Sequence, residues 1–322
     1  MQRAVRSPKG FTLVELLVAM AMGLIVLSVM FTMFRTSSRS YTLQDYVAET
    51  QQNLRVAIYA VGRDVRMAGC GLNLLPSELV DRIQIFNGAG WSLVRAITGA
   101  NSAVGPDSVE VFYGDIRSGE YDATITQPMP DASAELNCDT VTPFNDHDAV
   151  VISNGLTAAL FVVSQVQAGP KKLQHNPAES IFNPPAAFKA FPTGGGYGSG
   201  SRLYNFGAFK WITYAVDSVT DPLHPRLTVN AHDGAGAQVV AENIEDLQFY
   251  YILQNGGGTH NPVGSENQIQ AVRISLVART AEQDPEANVF SPLTVEDHVI
   301  GAVPQDGYRR RVLSTEVKIR NR

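Results

Sequence analysis

The sequence predicts an α+β protein in which one long N-terminal α-helix, transmembrane in its first half and amphipathic in its second, packs on a large antiparallel β-rich globular head. Three observations predict it. Residues 11–34 form an apolar run with a single charge, residues 43–68 carry a stripe of apolar side chains at spacings of three and four, and much of the remainder alternates apolar with polar residues. At 322 residues the chain has room for two ordinary domains, or one large one with an appendage. Its 25 bases against 31 acids give a net charge of -6, so there is no basic excess of the kind nucleic-acid binders carry, and nucleic acid is not expected as a partner.

The first element is a basic leader. MQRAVRSPKG holds Arg3, Arg6 and Lys9 and no acid. From Phe11 to Phe34 the chain reads FTLVELLVAMAMGLIVLSVMFTMF. As a helix this run would be ~36 Å long, enough to cross a bilayer with some tilt. The leader's charge keeps it in the cytoplasm and sends the rest across the membrane, with Arg35 and Arg39 weakening that bias. A secretory signal peptide would be shorter and end in a small-x-small site. A plain signal anchor fits the length but gives no reason for Glu15. An ionised glutamate in hydrocarbon costs about 2.5 kcal/mol or more, so Glu15 calls for a partner.

The second element continues the first. Leu43, Val47, Thr50, Leu54, Ile58, Val61, Val65 and Ala68 make the stripe, with Gln44, Asp45, Glu49, Gln51, Arg55, Arg63 and Asp64 expected mostly elsewhere. No proline intervenes, so one helix is expected from Phe11 to Ala68, stopped by Gly69-Cys70-Gly71, with its second half docked on the head.

Strands are expected at 108–113, 149–153, 160–166, 209–216, 247–253, 271–279 and 313–320. In the last, Leu313, Thr315, Val317 and Ile319 share the buried face. A helical turn is expected only around Glu242 to Leu247. Between Gln167 and Gly207 five prolines precede TGGGYGSGS, which reads as a flexible surface loop. Its Phe182, Phe188, Phe191 and Tyr197 are candidates for a contact surface toward a neighbouring subunit or a substratum.

No enzymatic constellation is present: the chain has no HExxH, CxxC, GxSxG or P-loop pattern. The six histidines are scattered, mostly in expected turns. Asp139, Asn145, Asp146 and Asp148 offer oxygen ligands for calcium but lack EF-hand spacing and equally suit a turn before a strand. No metal or cofactor is expected. Arg309, Arg310, Arg311, Lys318, Arg320 and Arg322 read as the solvated face of a strand, with DNA or an acidic partner as the sharper alternative. Cys70 and Cys138 both follow the membrane segment and face an oxidising compartment in this topology. A disulfide between them would tie the helix end to the head; two unconnected thiols are the alternative.

Lys9-Gly10-Phe11-Thr12-Leu13-Val14-Glu15, with the short basic leader and the long apolar helix, resembles the N-terminus of a type IV prepilin. RDVRMAGCGL at 63–72, HDAVVISNG at 147–155, VAENIEDLQFYY at 240–251, QAVRISLVART at 270–280 and YRRRVLSTEVKIRNR at 308–322 are similar to the PilW family of minor pilins. J-type pseudopilins of type II secretion share the IEDLQ-like segment and the basic final strand. The resemblance implies a pilin-like fold divided into a leader (1–10), a transmembrane or filament-core helix (11–34), its amphipathic continuation (35–70) and a β-rich head (71–322) with a Pro/Gly-rich loop near 167–207. It implies cleavage between Gly10 and Phe11 by prepilin peptidase, N-methylation of Phe11, and a register-setting role for Glu15 against the N-terminal amine of a neighbouring subunit. Partners are then other minor and major pilins and the inner-membrane pilus assembly platform. The chain would reside in the bacterial inner membrane with its head in the periplasm, and afterwards in the pilus. The implied role is to prime pilus assembly in a tip complex, supporting adhesion or twitching motility, with a tip adhesin as a further alternative. Loss of the leader removes three bases and leaves 22 against 31 acids, a net charge of -9.

Overall fold

A computed structural model describes residues 10–72, 75–114, 122–177, 179–192, 195–284, 293–300 and 306–320. Leader residues 1–9 and the terminal Arg322 lie outside the described residues. The chain divides into two compact units, residues 1–49 and 50–322, and one helix, α1 (Leu13–Met67), has residues in both.

Within the first unit α1 runs unbroken past Gly23, and every side chain from Phe11 to Phe34 is exposed. The hydroxyls of this stretch find acceptors inside the helix. Ser28 donates to the Leu24 carbonyl at 2.8 Å, and Thr32 donates to that of Ser28 at 2.9 Å. Such bonds leave no side-chain donor for water to satisfy, which is what a hydrocarbon setting requires.

Within the second unit, α1 buries Thr50, Leu54, Ala57, Val61, Gly62, Asp64 and Val65. The expected stripe is thus present, with Asp64 added to it. Leu54, Val61 and Val65 share a core with Ile97, Val111, Leu247, Ile274 and Val317, each such side chain contributing roughly 1.5–3 kcal/mol. The helix ends at Met67, where Gly69 takes a left-handed φ of +72° and donates its N–H to the Phe112 carbonyl at 2.9 Å. A residue with a Cβ resists that conformation, so the glycine is what turns the chain from helix onto sheet.

After a single turn, α2 (Ser77–Val80), the head is built of strands. In chain order they are β1 (Ile83–Phe86), β2 (Trp91–Leu93), β3 (Ile97–Ala100), β4 (Ser108–Gly114), β5 (Ala123–Thr124), β6 (Leu136–Asn137) and β7 (Ala149–Ser153). They continue as β8 (Ala158–Val162), β9 (Gln165–Gln167), β10 (Lys172–Gln174), β11 (Arg202–Gly207), β12 (Phe209–Asp217), β13 (Arg226–Asn230) and β14 (Ala237–Glu242). The last are β15 (Ile244–Leu253), β16 (Gly258–Thr259), β17 (Ile269–Arg279), β18 (Leu293–Val295), β19 (His298–Ile300) and β20 (Arg310–Lys318). The sheets run β2-β1-β8-β7-β11-β5, β6-β10-β9, β14-β13-β12-β4-β3, β16-β15-β17-β20 and β18-β19. Pairing is antiparallel except between β1 and β8.

All five residues of β7 and of β8 are buried. Val151 and Leu160 point into one core, with Ile85 and Phe206, while Val150, Ile152 and Phe161 enter another with Ile125 and Tyr197. A strand covered on both faces loses its polar alternation, which is why these two read as continuous apolar runs. On β20, Leu313 and Thr315 are half-buried and Val317 buried, with Ser314, Glu316 and Lys318 exposed, as the alternation predicts.

Three expectations are corrected. The strand expected at 160–166 is two, β8 and β9, because the backbone leaves the sheet at Val163, whose N–H goes to the Asp148 carbonyl, and Ser164, whose N–H goes to that of Gln174. The turn expected at Glu242 to Leu247 is confined to Asn243, at a φ of +58°, between Glu242 at the end of β14 and Ile244 at the start of β15. The stretch from 167 to 207 is not a free loop. It contains β10 and all of β11, and its aromatics pack inward: Phe182 is buried against Phe209 and Trp211, Tyr197 is buried beside Phe191, and Phe188 sits on Phe86 at 4.9 Å. Asn183 anchors it by accepting from the Val162 N–H and donating to the Val162 carbonyl, both at 2.8 Å. Phe182 and Tyr197 are core, while Phe188 and Phe191 are half-buried.

Candidate functional site

Gly10 and Phe11, the residues that flank the expected cleavage point, are exposed. Immediately after them Thr12 and Glu15 form a reciprocal cap. The Thr12 N–H and hydroxyl each donate to Glu15 Oε2 at 2.9 Å, and the Glu15 N–H donates to Thr12 Oγ1 at 3.3 Å. This is the Ser/Thr-x-x-Glu capping box, which satisfies donors that a helix start otherwise leaves open. The pattern Thr12-Leu13-Val14-Glu15 was legible in the sequence, and the partner it supplies for Glu15 was missed.

At the other end of α1 the buried Asp64 accepts four hydrogen bonds. Arg63 Nε donates to Oδ1 at 2.9 Å and Arg63 Nη2 to Oδ2 at 3.0 Å. Tyr113 OH on β4 donates to Oδ1 at 2.9 Å, and Tyr214 OH on β12 to Oδ2 at 2.7 Å. Burial works to raise the Asp64 carboxyl, but the bonds from Arg63, Tyr214 and Tyr113 together outweigh it and hold the group below the usual carboxylate range. Burial, together with the bond to Asp64, pushes both tyrosine hydroxyls up. The sequence reading set Asp64 among the polar positions. The structure corrects this: the residue lies three after Val61 and four before Ala68, on the stripe itself.

A second polar cluster holds the IEDLQ segment. Asp246 Oδ2 meets His298 Nδ1 at 2.9 Å, and Gln248 Nε2 donates to Asp246 Oδ1 and to the Gly105 carbonyl, both at 3.0 Å. Nearby, Asp107 accepts from the Ser102 N–H at 2.7 Å and the Phe249 N–H at 2.9 Å. Burial raises the Asp107 carboxyl to about 6, partly offset by those two bonds and reinforced by the charges of Asp297 and Asp246. Because the folded value lies above the unfolded one near 3.8, folding binds a proton between them. The stabilisation is full below the unfolded value and lost as pH rises through about 6. Asp107→Asn should therefore flatten the stability profile between about pH 4 and pH 6 by roughly 2–3 kcal/mol, read from denaturant midpoints. An unaltered profile would show that Asp107 titrates normally.

The basic group near the C-terminus divides. Arg310, with its side chain 3% exposed, is bracketed by Glu245 and Asp306. Arg309 donates from Nη2 to the buried Asp284 at 2.6 Å. Arg310 is thus an internal ion pair, whereas Arg309 keeps its side chain 47% exposed and Arg311, Lys318 and Arg320 are also exposed, as a solvated face requires.

Cys70 and Cys138 are free thiols in the structure, the alternative weighed beside a disulfide. Cys138 is buried with Ile125, Leu136 and Leu173, whereas Cys70 lies in the turn after α1, its carbonyl accepting from the Gly114 N–H. Burial raises the Cys138 thiol to about 12, which removes the thiolate that oxidation needs. The oxygens weighed for calcium serve the turn: Asp146 accepts from the Val166 N–H, and Asp148 from the Asn145 N–H and the Asn205 side chain. Among the described residues no three acidic, histidine or cysteine side chains are grouped to hold a metal ion. His175 is buried against Phe161 with its pKa pushed down to about 4 by burial, so it is a core residue and not a turn histidine.

Comparison with known proteins bears on both ends of the chain. Residues 5–31 match the prokaryotic N-terminal methylation motif, and residues 213–321 match the family described as type IV pilus-assembly protein W. The chain is thus similar to the PilW family over residues 213–321 and to N-methylated N-termini over residues 5–31. A search of curated proteins gave no significant match. Among solved structures, a type IV-like pilin from Thermus thermophilus is similar at 11% identity and a TM-score of 0.35, covering 84% of this chain and 97% of that one. The PilW segment contains Tyr214, Asp246, His298 and Arg310, so both buried carboxylate clusters draw partners from it. Asp64 and Asp107 come from outside it.

Proposed function

We propose that this chain is a minor pilin that helps to prime type IV pilus assembly in a tip complex with other minor pilins. The observation that carries the reading is the methylation motif on an exposed Gly10-Phe11 junction joined in one chain to a PilW segment. Prepilin peptidase would cleave after Gly10 in the cytoplasm and methylate Phe11. The apolar helix would then wait in the inner membrane, head in the periplasm, until the assembly platform draws it into the filament core, where helix contacts replace lipid. The role needs no bond-breaking chemistry of its own. The match over residues 213–321 favours the pilus over a J-type pseudopilin. Burial of Phe182 and Tyr197 weighs against the 167–207 stretch as the binding surface of a tip adhesin.

The test is mass spectrometry of the chain recovered from cells and from sheared pili. The expected N-terminus is N-methylated Phe11, with the chain present in the pilus fraction at a small fraction of the major subunit. An intact leader, or a chain absent from pili, would remove the reading.

A further inference from the structure

The six exposed residues of α1 between 50 and 67 are Gln52, Arg55, Val56, Tyr59, Arg63 and Arg66. At 3.6 residues per turn they fall within an arc of about 100° and extend over ~21 Å of helix. Tyr59 is 72% exposed and Val56 46% exposed, so the face has an apolar centre. Around it stand three arginines and no exposed acid, in a chain whose acids outnumber its bases. Arg55 and Arg66 make no ion pair among the described residues, whereas Arg63 is fixed by its two bonds to Asp64 while remaining 54% exposed. Exposed Arg320 adds a base at the helix end, where its N–H donates to the Arg66 carbonyl at 3.1 Å.

We propose that this face docks an acid-rich surface on the head of a neighbouring pilin-type subunit. The inference rests on the filament reading above and names a surface that reading does not specify. With three bases confined to one face, the rest of a chain of this net charge is acidic, so heads of this kind present the complementary sign. A tyrosine flanked by arginines is the composition of an interface centre, where aromatic area supplies affinity and charge sets orientation. Nucleic acid is disfavoured by the chain's negative field and by the exposed valine on the edge of this face.

The test uses the full chain in cells, with a photoreactive phenylalanine derivative replacing Tyr59. Illumination of assembled pili should give an adduct to a second chain bearing a methylation motif, the attached peptide being rich in Asp and Glu. The double variant Arg55→Glu, Arg66→Gln should reduce adduct yield at least about tenfold without altering thermal unfolding, and Arg55→Lys with Arg66→Lys should restore most of it. A chain present in pili that gives no adduct, an adduct insensitive to the charge change, or one to nucleic acid overturns the docking surface alone. A chain with unmethylated Phe11 that never enters pili overturns the filament reading, and the surface with it.

Discussion

Replacing Asp64 by alanine should destabilise the head by roughly 2–5 kcal/mol, since each buried hydroxyl left without an acceptor costs about 1–3 kcal/mol. The substitution strips acceptors from the hydroxyls of Tyr113 and Tyr214, and Tyr214 is 2% exposed, so no water replaces the carboxylate. Arg63→Ala should cost far less, about 1 kcal/mol, because its guanidinium is half in solvent and the two tyrosines still satisfy the acid. Asp64→Asn should fall between them, keeping shape and one acceptor. The effect is also pH-dependent with a fixed sign. Since the folded Asp64 carboxyl titrates below its unfolded value, its contribution is present above the unfolded value and lost as pH falls through the folded one. The gap between wild type and Asp64→Ala should therefore narrow in acid. Thermal and denaturant unfolding of the full chain in detergent measures all three; an Asp64→Ala within 0.5 kcal/mol of wild type, on the order of a neutral surface change, would show that the network is incidental.

Asp64 also marks where the sequence could be read and where it could not. Periodicity placed the long helix, its docking stripe and its glycine stop correctly, because burial of one face is a local property of spacing. The same spacing put Asp64 on the stripe, but residue type argued it outward, and its partners lie 49 and 150 residues away on β4 and β12. No local signal foretells such a pairing. One base of the C-terminal strand escaped for the same reason: alternation gave the correct face for Leu313 to Ile319 and the exposed bases, while Arg310 is matched by Glu245, 65 residues distant. In the 167–207 stretch, proline and glycine were read as freedom. Phe182 and Tyr197 instead reach cores whose walls are supplied by strands on both sides of it in sequence.

The N-terminal site shows the opposite case, in which everything was local and one signal masked another. Glu15 drew attention as a charge in an apolar run, so its place as the closing residue of a capping box went unread. The observed cap and the proposed register pairing fall on one carboxylate, and only substitutions that separate them can assign an assembly defect caused by its loss.

Glu15→Gln should be cleaved and methylated normally and yet enter pili at a level reduced at least about tenfold, whereas Thr12→Ala should assemble nearly as wild type. Glutamine serves in the capping box as glutamate does, so this variant keeps the local bonds and loses only the charge. Thr12→Ala does the reverse, giving up a cap worth about 1 kcal/mol in a helix whose length makes that loss small. If Glu15 pairs in the filament with the N-terminal ammonium of a neighbour, the charge is what matters. An ionised carboxylate brought into a dry helix bundle costs about 2.5 kcal/mol or more unless an opposite charge meets it. A pairing worth that much corresponds to a factor of more than about fifty in the equilibrium between membrane and filament, which sets the tenfold threshold conservatively. Immunoblots of sheared pili against whole cells, with mass spectrometry of Phe11 in both, read processing and assembly separately. Normal incorporation of Glu15→Gln together with loss of Thr12→Ala would reverse the assignment, making Glu15 a helix cap whose charge the filament does not use.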